Sequence, residues 1–206
     1  MVVGRCLIEK KPYEISLDYF KKYAFNRALK NPFEWIMTAL SLRMAAKALQ
    51  AVPIDENPDY VIQRFGTFTT PVYRFLMARS TENLIKGIII ARGVEIGSKG
   101  RIEKWFKSHD LVRLSEYLGI KVTDDDRKIM EILRLYAVWA GDYPIPATYD
   151  KYQPGVLVLE LKESKMLELW HRLANHLYDS GWIVQSDGGK LPLKSFAPEL
   201  LRNDKL

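Results

Sequence analysis

Apolar residues recur every three or four positions along most of this chain, the period of helices that bury one side. Residues 12–28 predict a short leading helix whose sticky side is Ile15, Tyr19, Phe20 and Tyr23. In NPFEWIMTALSLRMAAKALQ, Asn31 suits the N-cap and Pro32 the first helical position. Phe33, Ile36, Met37, Leu40 and Met44 then follow at helical spacing, to an end near Gln50 before Pro53. Residues 51–69 read as loop and extended chain. Thr70 and Pro71 open a long helix carrying Val72, Phe75, Leu76, Leu84, Ile88 and Ala91 and ending at Gly93. GVEIGSKG is a glycine-punctuated connection.

Further along, Ser108 is the expected N-cap of a short helix with Leu111, Leu114 and Leu118, stopped by Gly119. Thr123 with three acids behind it predicts the next start, because carboxylates favour the positive end of a helix. Its apolar side is Ile129, Ile132, Leu133, Tyr136 and Trp139. Pro144, Pro146 and Pro154 exclude helix from GDYPIPATYDKYQPG. A last helix runs from about Leu161 to Ser180 with Leu167, Trp170, Ala174 and Leu177 on one stripe. Residues 181–206 form a tail with a short strand, GWIVQ, and turns around Gly188 and Gly189. Each stripe must find another, so the expected fold is all-α. An antiparallel four- to five-helix up-down bundle is the economical form, with short irregular or β-like additions at both ends. No linker divides residues 1–206, which read as a single helical domain.

Composition narrows this picture modestly. The chain has 206 residues, 48% of them hydrophobic, enough for one full core. Its 31 Lys+Arg against 25 Asp+Glu give a net charge of +6, which permits an RNA, DNA or nucleotide partner without requiring one. One cysteine, Cys6, cannot make an internal disulfide. MVVGRCLIEKK lacks the pattern of a signal peptide, and the best apolar runs are interrupted by Arg or Lys. The expectation is a cytoplasmic protein with no membrane association.

The order of three motifs carries a resemblance. ARSTENLIKGIIIARG is followed by KSHDLVRLSEYLGI, then by ILRLYAVWAGDYPIP and a terminal amphipathic helix. This order resembles the HEPN family, small helical bundles common in prokaryotic toxin–antitoxin, defence and nucleotidyltransferase-linked systems. The likeness spans about residues 31–180, leaving 1–30 and 181–206 as extensions. It implies an up-down four-helix bundle, a homodimer and, in many members, metal-independent RNA cleavage without a cofactor. Catalytic members carry an Arg closely followed by a His. Here Arg101 and His109 have seven residues between them and Arg172 and His176 have three, just outside that spacing on either side. Asp142 also stands where a basic residue is usual. These departures favour a non-catalytic RNA- or nucleotide-binding, or partner-binding, module. The alternatives are a metal-independent ribonuclease with a displaced site built from Arg101 and His109, and a helical scaffold with no nucleic-acid role.

The candidate chemistry centres on His109. A metal-independent ribonuclease needs a base near the 2′-hydroxyl and a cation for the developing phosphate charge. From Lys86 to Lys107 six basic residues, Lys86, Arg92, Lys99, Arg101, Lys104 and Lys107, face two acids, Glu95 and Glu103. Lys86, Lys99, Lys104, Lys107 and Arg79 are therefore candidate phosphate contacts, with Trp105 and Phe106 as stacking surfaces for bases. The plainer account of His109 is that it belongs to a helix start. Glu82 and Lys86 stand i, i+4 in the favourable order for an ion pair, which reads either as a bridged helix face or as a polar strip in a groove. Arg172 and His176 fall on the solvated side of the last helix. Glu168-x-x-His171 has the spacing of half a di-iron site, but no second copy exists. No metal or cofactor is expected.

Overall fold

Asn31 and Pro32 set the first long helix as their residue types dictate. The Asn31 Oδ1 accepts from the Phe33 N–H at 3.1 Å, satisfying one of the donors a helix start leaves open. In the computed structural model, residues 17–50, 69–98, 100–140, 161–179, 183–186 and 189–192 are described. Among them are helices α1 (Leu17–Lys30), α2 (Pro32–Gln50), α3 (Thr69–Ala91), α4 (Leu111–Tyr117), α5 (Asp124–Leu135) and α6 (Glu163–Asp179). A π-helical turn, Tyr136–Ala140, continues α5. Two small antiparallel hairpins complete the elements: β1 (Gly97–Ser98) with β2 (Arg101–Ile102), and β3 (Ile183–Ser186) with β4 (Gly189–Pro192). The fold is predominantly helical. No described helix is long and apolar enough to cross a membrane. The readings of residues 51–68 and 141–160 lie outside the described residues.

Helix α3 is the centre. Helices α2, α4, α5, α6 and the π-helical turn all pack against it. It is consequently buried on almost every side from Tyr73 to Ile90, polar residues Ser80, Thr81, Glu82 and Lys86 included. A helix enclosed in this way has no single apolar stripe. Its carbonyl end turns out through Gly93, where φ is +75°, a conformation glycine adopts without steric penalty.

The strongest terminus signal is met in full. Thr123 and Asp126 form a reciprocal capping box at α5. At α4 the cap differs from expectation: Asp110, not Ser108, accepts from the Arg113 N–H, while Ser108 Oγ accepts from the Asp110 N–H. The carboxylate reaches the helix donors and the serine supports it from outside. The predicted stripes also shift. Helix α2 buries Ile36, Ala39, Leu40, Arg43 and Ala46 and leaves Met37 and Met44 exposed. On α1, Tyr19, Phe20 and Tyr23 are exposed and Leu29 is the buried residue. Trp35 ties the two helices by donating from Nε1 to the Ala28 carbonyl at 3.2 Å. GVEIGSKG, read as an irregular connection, contributes strand β1.

Two small residues set the spacing of α3 from its neighbours. Ser80 Oγ donates to the Ala39 carbonyl at 2.7 Å and accepts from Trp170 Nε1 at 2.9 Å, joining α2, α3 and α6 in the buried core. Gly87 lets α2 approach: a Cβ there would lie 2.9 Å from Ile36 Cγ1, on a side chain that is itself fully buried. Gly87→Ala gains up to about 1 kcal/mol of helix propensity but overpacks this contact at a cost of about 1–3 kcal/mol. We expect a net loss of stability, read as a lower urea midpoint with an unchanged m-value; a midpoint equal to wild type or higher would show that the two helices can move apart freely.

Candidate functional site

Three charged residues of α3, Arg79, Glu82 and Lys86, share one face because they are spaced i, i+3 and i+7. The chain then returns over that face through the turn at 103–109. Phe106 and Leu111, both fully buried, anchor the turn on either side and hold His109 between them. The result joins residues distant in sequence. Glu82 Oε1 accepts from Lys86 Nζ at 2.6 Å; Glu82 Oε2 accepts from Arg79 Nη1 at 3.2 Å and from His109 Nδ1 at 3.0 Å.

An ionised carboxylate only accepts, so the Nδ1 nitrogen carries the hydrogen in this contact. Arg79 Nη1 also lies 3.2 Å from Nδ1, a close approach made by two donors sharing one oxygen. The other ring nitrogen, Nε2, has no hydrogen-bond partner among the described residues. The Glu82 side chain is 6% exposed, against 29% for Arg79 and 38% for His109. The carboxylate is therefore the floor, and the guanidinium and imidazole form the rim.

Burial alone would raise the Glu82 carboxyl. The ammonium of Lys86, by charge and hydrogen bond, and His109, by the same means, overcome that and hold it below its ordinary value of 4.5. Lys86 is itself fixed from behind. Its Nζ lies 5.3 Å from the Phe106 ring centroid and 5.9 Å from that of Trp35, and those two rings meet edge to face at 5.2 Å. Asp110, next to His109, is otherwise engaged: it caps α4 and pairs with Arg134 of α5 at 3.5 Å.

The structure distributes the other candidates as follows. Arg101 lies exposed on β2 with no hydrogen bond or ion pair to His109; the arginine that reaches the imidazole is Arg79. Lys104 and Lys107 lie exposed in the turn that precedes His109, and Lys99 lies outside the described residues. Phe106 is buried behind Lys86 rather than offered to solvent, whereas Trp105 is half-buried. On α6, Arg172 pairs with Asp126 of α5, which draws it away from a joint role with His176. Among the described residues, no group of three or more His, Cys, Asp or Glu side chains is placed to hold a metal ion.

A second polar group lies between α2, α3 and α6. Arg43 Nη2 is 3.3 Å from His171 Nε2, and its guanidinium stands 4.5 Å from the Trp170 ring centroid. The buried Tyr73 hydroxyl nearby has no hydrogen-bond partner among the described residues. Burial, helped by the charge of Glu163 and opposed by Arg43, pushes its phenol up to about 12.

Comparison with protein-family models, curated proteins and solved structures finds no match to this chain.

Glu82 carries two measurable consequences. Glu82→Gln leaves the Lys86 ammonium buried without a counter-charge, and we expect a loss of about 3 kcal/mol in urea denaturation. A change near zero would mean that the aromatic pair alone satisfies Lys86. The pH dependence follows from the depressed carboxyl. Its contribution is complete above the ordinary carboxylate value and is lost as pH falls through the lower, folded value. The stability gap between wild type and Glu82→Gln should therefore be constant near neutrality and close only in acid; a gap that closes on the alkaline side would contradict the assignment.

Proposed function

We propose that this chain is a HEPN-like helical module that binds the phosphate groups of RNA or nucleotides at the rim formed by Arg79 and His109. One observation supports this reading above others: two permanent cations, Arg79 and Lys86, converge on a single carboxylate in a half-buried place. Glu82 neutralises only one of them. The surplus positive charge faces outward beside an imidazole, in surroundings where an anion is worth more than it is in bulk water. Exposed Lys104 and Lys107 extend the same sign along the adjoining turn. The wider proposal is the antiparallel bundle, the homodimer and the defence or toxin–antitoxin setting that the motif order resembles.

A second reading, a metal-independent ribonuclease, is favoured by the Glu82–His109 hydrogen bond. A carboxylate that holds Nδ1–H leaves the Nε2 lone pair as the atom that accepts a proton. In that reaction Nε2 takes the 2′-hydroxyl proton and the 2′-oxygen attacks phosphorus. The 5′-oxygen leaves and is protonated by water, giving a 2′,3′-cyclic phosphate. Arg79 faces the charge that grows on the phosphoryl oxygens.

Binding is tested with a fluorescein-labelled RNA across a salt series. The expected affinity falls as salt rises, and Arg79→Gln weakens binding and reduces the salt slope by about one. Salt-independent binding, or none, defeats the phosphate reading. Incubation with total RNA in EDTA separates the two versions. Intact RNA leaves the binding module; cleavage abolished in His109→Ala and retained in His176→Ala selects the ribonuclease.

A further inference from the structure

The turn that carries His109 also carries one ring of an aromatic stack with an open face. Trp105, in the turn before His109, lies against Tyr117 at the end of α4 with ring centroids 4.4 Å apart and planes inclined by 22°. Tyr117 is 57% exposed although one of its faces is covered by the indole. Trp105 also meets Phe106 edge to face at 5.5 Å, and Phe106 is the ring that backs Lys86. An unbroken series of contacts thus runs from the exposed phenol to the buried ion pair. Tyr117 is therefore linked through packed rings to the residue that backs the ion pair, and its partner Trp105 lies in the same turn as His109.

The outer face of α4 continues the line. Arg113 and Tyr117 stand i, i+4 on that face, about 5–6 Å apart at Cβ, and Arg113 follows His109 across the helix cap at Asp110. Charge points the same way. Between residues 100 and 121, Arg101, Lys104, Lys107, Arg113 and Lys121 are exposed and form no ion pair with a described residue. Of the acids in that span, Asp110 and Glu116 are engaged by Arg134 and Arg127, which leaves Glu103 alone to oppose five cations.

We infer that Tyr117, stacked on Trp105, is a base-stacking platform for single-stranded RNA whose phosphates are held at Arg79 and His109. The inference rests on the phosphate-binding reading above and adds the class of ligand. An aromatic face recognises an unstacked base, which a duplex does not offer. Stacking of this kind tolerates any base, and flanking cations track the backbone. Arg113, one turn before Tyr117 on the same helix, takes a phosphate of the bound strand.

The experiment compares two ligands on the intact chain: a short fluorescein-labelled oligoadenylate, which has bases and phosphates, and inorganic polyphosphate, which has phosphates only. Tyr117→Ala is expected to weaken oligoadenylate binding about tenfold and to leave polyphosphate binding unchanged. Tyr117→Trp restores the oligoadenylate affinity, and annealing the oligomer to its complement removes the difference between variant and wild type. Equal oligoadenylate affinity in Tyr117→Ala and wild type overturns the platform while leaving the phosphate reading intact. An equal loss for both ligands also overturns it, because the change then acts on charge or fold and not on bases. If wild type takes up neither ligand, the phosphate reading fails and the platform fails with it.

Discussion

A carboxylate sits inside a helix that other helices enclose. Glu82 faces inward on α3, where an unpaired charge would consume a large share of the stability a domain of this size possesses. Everything around it answers that constraint. Lys86 neutralises it from one turn away, and Trp35 and Phe106 close over Lys86 so that its remaining surface meets ring faces instead of water. The turn at 103–109 cannot wander, because Phe106 is one wall of that enclosure and His109 is bonded to the same carboxylate. Stability and candidate chemistry therefore draw on one set of contacts.

Much of the helical framework was legible because termini are written locally. Asn31–Pro32, Thr123 with its acids and the glycines after α3 and α4 announce starts and stops through backbone donors and acceptors that any helix end must satisfy. Stripes were less legible. In α2 the buried line passes through Ala39, Arg43 and Ala46, not Met37 and Met44: the two alanines allow close approach to neighbouring helices, and the Arg43 guanidinium lies over the Trp170 ring of α6. In α1 the aromatics that looked like a core face are outside, and the residue that docks the helix end is Leu29. Periodicity shows that a helix has two sides; it does not say which neighbour will claim which side.

The candidate site was half legible for a related reason. Glu82 and Lys86 are four residues apart, so their pairing follows from helix geometry alone. Three charges on one face of a helix that also carries Leu84, Ile85, Ile88, Ile89 and Ile90 were the available signal that this strip is used internally. The bond from Glu82 to His109 spans 27 residues and depends on how a turn lies over α3, which no local pattern encodes. The same distance explains the arginine. Sequence proximity favoured Arg101, eight positions before His109, whereas the fold supplies Arg79 from 30 positions away. Phe106 and Trp105 are adjacent in sequence and read alike, yet one is core and the other carries Tyr117.

The Ser80 hydroxyl is one residue from Arg79 and two from Glu82, and it is bonded to helices on two different sides. It acts as a rivet against rotation. If α3 slipped by a single residue, each of its side chains would swing by about 100° around the axis, and the guanidinium would point into packed hydrocarbon. Such a slip would break both bonds. The aim of the charged strip is thus set in part by one oxygen atom outside the strip, buried where no ligand would touch it.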